Sequence, residues 1–114
     1  MFKLKNKTLT TIVNPIGAEL SSLTHNGSEL IWQGDDNFWS GRAPILFPIV
    51  GALKEGKMTH FGQQYEMPRH GIARRATFNC VDHSDTELLM SLQASESSRP
   101  VSYTHLTLPT TPYV

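Results

Sequence analysis

Residues 8–14 (TLTTIVN) are dominated by β-branched side chains, and Pro15 and Gly17 close the run, which predicts a strand. In residues 18–25 (AELSSLTH), Leu20 and Leu23 fall at helical spacing, but Asn26-Gly27 and another β-type run follow. Asn-Gly between such runs is the strongest short-range hairpin signal, so two strands turning at Asn26-Gly27 are expected. Residues 33–44 (QGDDNFWSGRAP) break the pattern with Gly34, Asp35, Asp36, Asn37, Gly41 and Pro44 and read as a loop carrying Phe38 and Trp39. Residues 44–51 (PILFPIVG) are almost wholly apolar, which predicts burial on both faces. Pro44 and Pro48 cannot donate to a sheet ladder, so an irregular buried segment is expected.

Residues 57–60 and 64–67 flank Phe61, Gly62 and Gln63 in the pattern of a second hairpin. Residues 76–83 (ATFNCVDH) and 86–94 (TELLMSLQA), joined through Ser84 and Asp85, predict a third. Successive short strands without a convincing helix indicate an all-β fold, an antiparallel β-sandwich or barrel. No fixed-period repeat argues for a propeller or solenoid.

A length of 114 residues with 39% hydrophobic side chains allows about one domain, or a piece of a larger one. Ten basic residues balance ten acidic ones, so no global field draws in nucleic acid or a membrane surface, and neither is expected as a partner. The single Cys80 has no internal disulfide partner, and the first residues carry no signal-peptide pattern; a cytoplasmic setting is the default expectation. Strand alternation around Cys80 favours inert packing over a reactive thiol. Asp35 and Asp36 supply too few oxygens for calcium, and neither zinc-ligand spacing nor a glycine-rich phosphate loop is present, so no metal or cofactor is expected. Residues 100–114 hold three of the seven prolines, and no acid follows Glu96. This segment reads as a non-native or disordered tail to residues 1–99, the alternative being a native proline-rich one.

Residues 65–75 (YEMPRHGIARR) gather one histidine and three arginines around Pro68 and Gly71. Pro68 restricts Met67 to extended geometry, and Gly71 permits a turn directly after His70, which presents the imidazole at a strand end. Imidazole titrates near neutral pH and suits proton chemistry. Arg69 and Arg75 read as solvated charges, and the alternative for Arg74 is a pair with a local carboxylate. Trp32 reads as core, whereas Trp39 is balanced between core and a ring on which a sugar could stack.

The ordered blocks GAELSSL, ELIWQGDDNFWSGRAPILFPIVG and YEMPRHGIAR resemble the aldose 1-epimerase (galactose mutarotase-like) family, over roughly residues 8–93. The resemblance implies a β-supersandwich domain far longer than this chain, which would then be its N-terminal portion. It implies an isomerase that interconverts the anomers of an aldose at C1, one group taking the proton of the anomeric hydroxyl while another protonates the ring oxygen. His70 occupies the family's "HG" position, where a catalytic hydrogen bond to the sugar near its ring oxygen is implied. Arg42 and Arg74 match family arginines, and with Trp39 they form the expected substrate-binding set, the partner being a small-molecule sugar. The family's second histidine and its glutamate base fall outside the matching region, so the 114-residue chain is expected to be inactive. The alternative is a non-catalytic carbohydrate-binding module; a misassembled gene product without a stable fold is a third reading.

Overall fold

The computed structural model describes residues 1–93 and 106–110. Among the described residues nine strands form three antiparallel sheets. The first is a meander of β1 (Phe2–Lys5), β2 (Leu9–Asn14), β3 (Glu19–His25) and β4 (Ser28–Glu29); the second is the hairpin of β5 (Lys57–His60) and β6 (Gln63–Glu66); the third joins β7 (Asn79–His83), β8 (Leu88–Leu92) and β9 (Leu106–Thr110). Two short 3-10 turns, Lys54–Gly56 and Ala73–Arg75, are the helical elements of the described residues.

The three expected hairpins form. Asn26 and Gly27 turn β3 into β4 with φ of 51° and 80°, the paired positive values that match the twist of a two-residue hairpin. Phe61 and Gly62 (φ 48° and 77°) do the same between β5 and β6, so Gln63 begins a strand and does not extend the loop. Between β7 and β8, Ser84 Oγ accepts hydrogen bonds from the backbone N–H groups of Thr86 (3.4 Å) and Glu87 (3.1 Å). β1 had no counterpart in the sequence reading. Its inward Leu4 is buried while Lys3 and Lys5 face solvent, and charged side chains along an edge strand resist pairing with other chains.

Leu4, Val13 and Ala18 from the first sheet and its turn meet Phe78, Leu88 and Met90, with Ala73 between them; Phe2, Leu20, Ile45, Phe47 and Leu92 pack around this cluster. Leu4, Val13, Leu88 and Met90 are the largest fully buried side chains, each worth roughly 1.5–3 kcal/mol of transfer free energy. Residues 44–51 are irregular, as expected, but only half-buried, and Val50 is 76% exposed. This corrects the expectation of burial on both faces: within the described residues Ile45 and Phe47 pack against the core cluster and the segment's backbone bonds residues 70–73, but none of its residues is fully buried. Trp32, expected in the core, is 44% exposed, and Cys80 lies on β7, whose five residues are all exposed, so neither packs as expected.

Five residues of the C-terminal segment pair with β8 as β9, from Leu88 opposite Thr110 to Leu92 opposite Leu106. The rest of the tail expectation, at residues 100–105 and 111–114, lies outside the described residues.

Candidate functional site

β6 ends at Glu66, and Met67 anchors the chain beyond it: the side chain is buried and the backbone N–H donates to Gly56 O at 2.9 Å. Pro68 then opens a turn closed by Gly71 N–H to Pro68 O at 3.0 Å. His70 takes φ 64° at the third position of this turn and Gly71 takes φ 78°, the left-handed region that costs an L-residue about 1–2 kcal/mol.

Contacts from residues 47–51 hold His70 in that conformation. Its backbone N–H donates to Gly51 O at 2.8 Å, and the Gly51 N–H donates to His70 Nδ1 at 2.9 Å. One turn further on, Phe47 O accepts from the N–H groups of Ile72 (2.8 Å) and Ala73 (3.2 Å). The apolar block therefore serves as the backbone partner of the histidine turn.

The 3-10 turn Ala73–Arg75 carries Arg74. Gly17, at φ +73°, lies so close that a Cβ there would meet Arg74 O at 2.5 Å, and its N–H donates to Ala76 O at 2.7 Å. The Arg74 guanidinium donates from Nη2 to Arg69 O at 3.2 Å, and its buried Nε has no hydrogen-bond partner among the described residues. Arg74 and Trp39 line one cleft of about 170 Å³, together with Glu19, Ser40, Pro44 and Arg75. Glu19, which lines the same cleft as two arginines, was absent from the residues read out of the sequence; its place in the GAELSSL block was the available signal.

Arg42 is engaged differently. The ladder between β2 and β3 shifts register after Ile12, where Ser22 is followed by Leu20 as the partner residue, so Ser21 is an extra residue at a bulge. Its carbonyl is satisfied by Arg42 Nη1 at 2.8 Å and Gln33 Nε2 at 3.1 Å. Glu29 completes this clamp, accepting from Ser22 Oγ (2.5 Å), Leu23 N–H (2.9 Å) and Ile31 N–H (3.2 Å). The Ser22 hydroxyl and then the Leu23 amide hold the Glu29 carboxyl below its ordinary value, with a smaller contribution from the Arg42 charge.

Trp39 also accepts, through its carbonyl, the indole N–H of Trp32 at 2.6 Å, and Trp32 packs edge-on against Phe38 with ring centroids 6.2 Å apart. Trp39 and Arg74 are thus brought together in one cleft, His70 is held apart from it against Gly51, and Arg42 is committed to the bulge. A larger concavity of about 650 Å³, lined by Lys3, Lys5, Lys7 and Asp85 among others, contains none of the expected site residues. It is an open groove among solvated side chains. Among the described residues no cluster of His, Cys, Asp and Glu could hold a metal ion, and no helix is long and apolar enough to cross a membrane.

The all-β antiparallel architecture matches one family in both sequence and structure. The chain belongs to the aldose 1-epimerase family, whose model matches residues 1–106, beyond the span that the sequence blocks cover. It is 32% identical over 97 residues to the plasmid-encoded protein LacX of Lactococcus lactis subsp. lactis, an alignment covering 80% of this chain and 32% of LacX. Among solved structures it is similar to a galactose mutarotase related enzyme from Lactobacillus acidophilus (TM-score 0.87, 30% identity, 95% of this chain and 37% of that one). A galactose mutarotase-like protein from Lactobacillus casei gives a TM-score of 0.88 at 30% identity, covering 96% and 38% of the two chains. The chain thus spans about a third of the length of these relatives.

Proposed function

We propose that this chain is the N-terminal part of an aldose 1-epimerase, and that the whole protein interconverts the anomers of an aldose by acid-base ring opening and closure at C1. In this reading His70 is the catalytic contribution of the segment, a hydrogen-bonding group toward the sugar near its ring oxygen. Arg74 offers guanidinium N–H groups to sugar hydroxyls, and Trp39 offers a ring face to pyranose C–H groups. Arg42 contributes through the N–H groups left after its bond to Ser21, since a guanidinium carries five donors. The acid and the base that exchange the protons belong to the part of the family fold this segment does not span. The observation that carries the reading is the His70 turn, which keeps a positive φ under four backbone and side-chain bonds from residues 47–51, in a chain that matches the family over residues 1–106.

Polarimetry of freshly dissolved α-D-galactose and α-D-glucose tests it. The 114-residue chain should equilibrate either sugar no faster than buffer and free imidazole do, and the family-length protein carrying this segment should accelerate the approach to equilibrium. Binding of sugar by that longer protein without acceleration would establish the carbohydrate-binding module instead.

A further inference from the structure

His70 and Gly51 exchange two hydrogen bonds: the His70 backbone N–H donates to Gly51 O at 2.8 Å, and the Gly51 N–H donates to His70 Nδ1 at 2.9 Å. Gly51 sits at φ +84°, and a Cβ there would meet nothing within 4 Å. A side chain at position 51 would therefore have space. What the glycine supplies is the left-handed backbone in which one residue turns both its N–H and its C=O to the same partner.

We infer that the Gly51 amide is the positioning group for His70 and sets its tautomer. A ring nitrogen that accepts an N–H bond carries no proton, so in the neutral imidazole the proton sits on Nε2. The assignment comes from the hydrogen-bond network. Rotating the ring by half a turn would put a carbon opposite the Gly51 N–H and forfeit the bond. Resting on the reading of His70 as a sugar-facing residue, this fixes what the side chain can do there. Its one lone pair on nitrogen is occupied by Gly51, so it cannot take the proton of the anomeric hydroxyl. Surrendering the Nε2 proton would leave an imidazolate, so His70 donates a hydrogen bond to a sugar oxygen and keeps its proton, while both net proton transfers fall to other groups. Among the described residues Nε2 makes no hydrogen bond of its own, which leaves it available for that contact.

The test is the 15N spectrum of the uniformly 15N-labelled chain, in solution or, for associated material, under magic-angle spinning. The expected result is a scalar coupling across the hydrogen bond between the Gly51 amide nitrogen and His70 Nδ1, with Nδ1 at a pyridine-type shift and Nε2 at a pyrrole-type shift. A protonated Nδ1, or a ring averaging equally between tautomers with no such coupling, overturns the inference. Gly51→Pro, which removes both the donor and the positive φ, should release the ring to a tautomeric mixture; if that variant does not fold, the coupling in the unmodified chain decides alone. No sugar enters the measurement. An inactive family-length protein that still shows the coupling would overturn the sugar reading and leave the tautomer standing, and an active one without it would do the reverse.

Discussion

Gly71 lies against the carbonyl of Phe47 so closely that a Cβ on residue 71 would sit 2.1 Å from that oxygen, in the parallel bridge that joins the apolar block to the histidine turn. Gly71 also has φ +78°. Two separate physical demands, backbone angle and space, therefore fall on one residue of the Tyr65 to Arg74 block.

Gly27 carries the first demand without the second, with φ +80° and nothing within 4 Å of a built Cβ. Gly27→Ala should cost about 1–2 kcal/mol, the left-handed penalty. Gly71→Ala should cost about 1–3 kcal/mol more, because backbone must move to admit the methyl. Urea unfolding midpoints of the two variants check this, and equal midpoints would contradict the close approach to Phe47.

Arg42 and Arg74 should separate by assay. Arg42→Ala leaves the buried Ser21 carbonyl with Gln33 as its remaining partner, so a stability loss of about 1–2 kcal/mol is expected, the scale of a charged hydrogen bond partly replaced. Arg74→Ala should weaken sugar affinity of the family-length protein by more than it lowers stability. Calorimetric titration with galactose beside thermal unfolding reads both, and the opposite ordering would exchange the two roles.

Glu29 makes part of the stability depend on pH. Its carboxyl titrates below its ordinary value of 4.5 in the folded chain, chiefly through the Ser22 hydroxyl and then the Leu23 amide. A depressed folded value means that the unfolded chain binds the proton more readily, so the contribution is present above the ordinary carboxylate value and is lost as pH falls through the folded one. Glu29→Gln should be less stable than the unmodified chain at neutral pH, and the difference should close on acidification. A difference independent of pH would remove the charge from the account.

Hairpins were legible because Asn26-Gly27 and Phe61-Gly62 carry local turn chemistry between β-type runs. β1 was not: in Phe2–Lys5 the alternation lasts only two pairs, and Lys3 and Lys5 mask it as a charged terminus. Nor was β9 legible, since Pro109 and the threonines of Leu106–Thr110 read as a tail, and only pairing with β8 makes them a strand. Of the candidate residues, Arg74 and Trp39 of the cleft and His70 of the neighbouring turn were named from residue type and from the family blocks. Gly51 was not, because a backbone amide has no sequence signature, and the engagement of Arg42 depends on a bulge at Ser21 that no local pattern announces. Trp32 differs from the expected core position because a tryptophan's burial depends on what covers it, and with a T-shaped contact to Phe38 the residue remains 44% exposed.

His83 provides the control for the central claim, that His70 faces the sugar. Its Nε2 lies 3.1 Å from Lys3 O and its ring meets Phe2 edge-on at 5.4 Å, contacts that tie β7 to β1 and involve none of the site residues. Polarimetric rates on α-D-galactose for the family-length protein carrying His70→Asn and His83→Asn compare the two directly. The account predicts a fall in kcat of about 10²–10³-fold for His70→Asn, the scale of losing one positioned hydrogen-bond donor, with His83→Asn near the unmodified rate once both are shown to be folded. Equal kcat values for the two variants would contradict it.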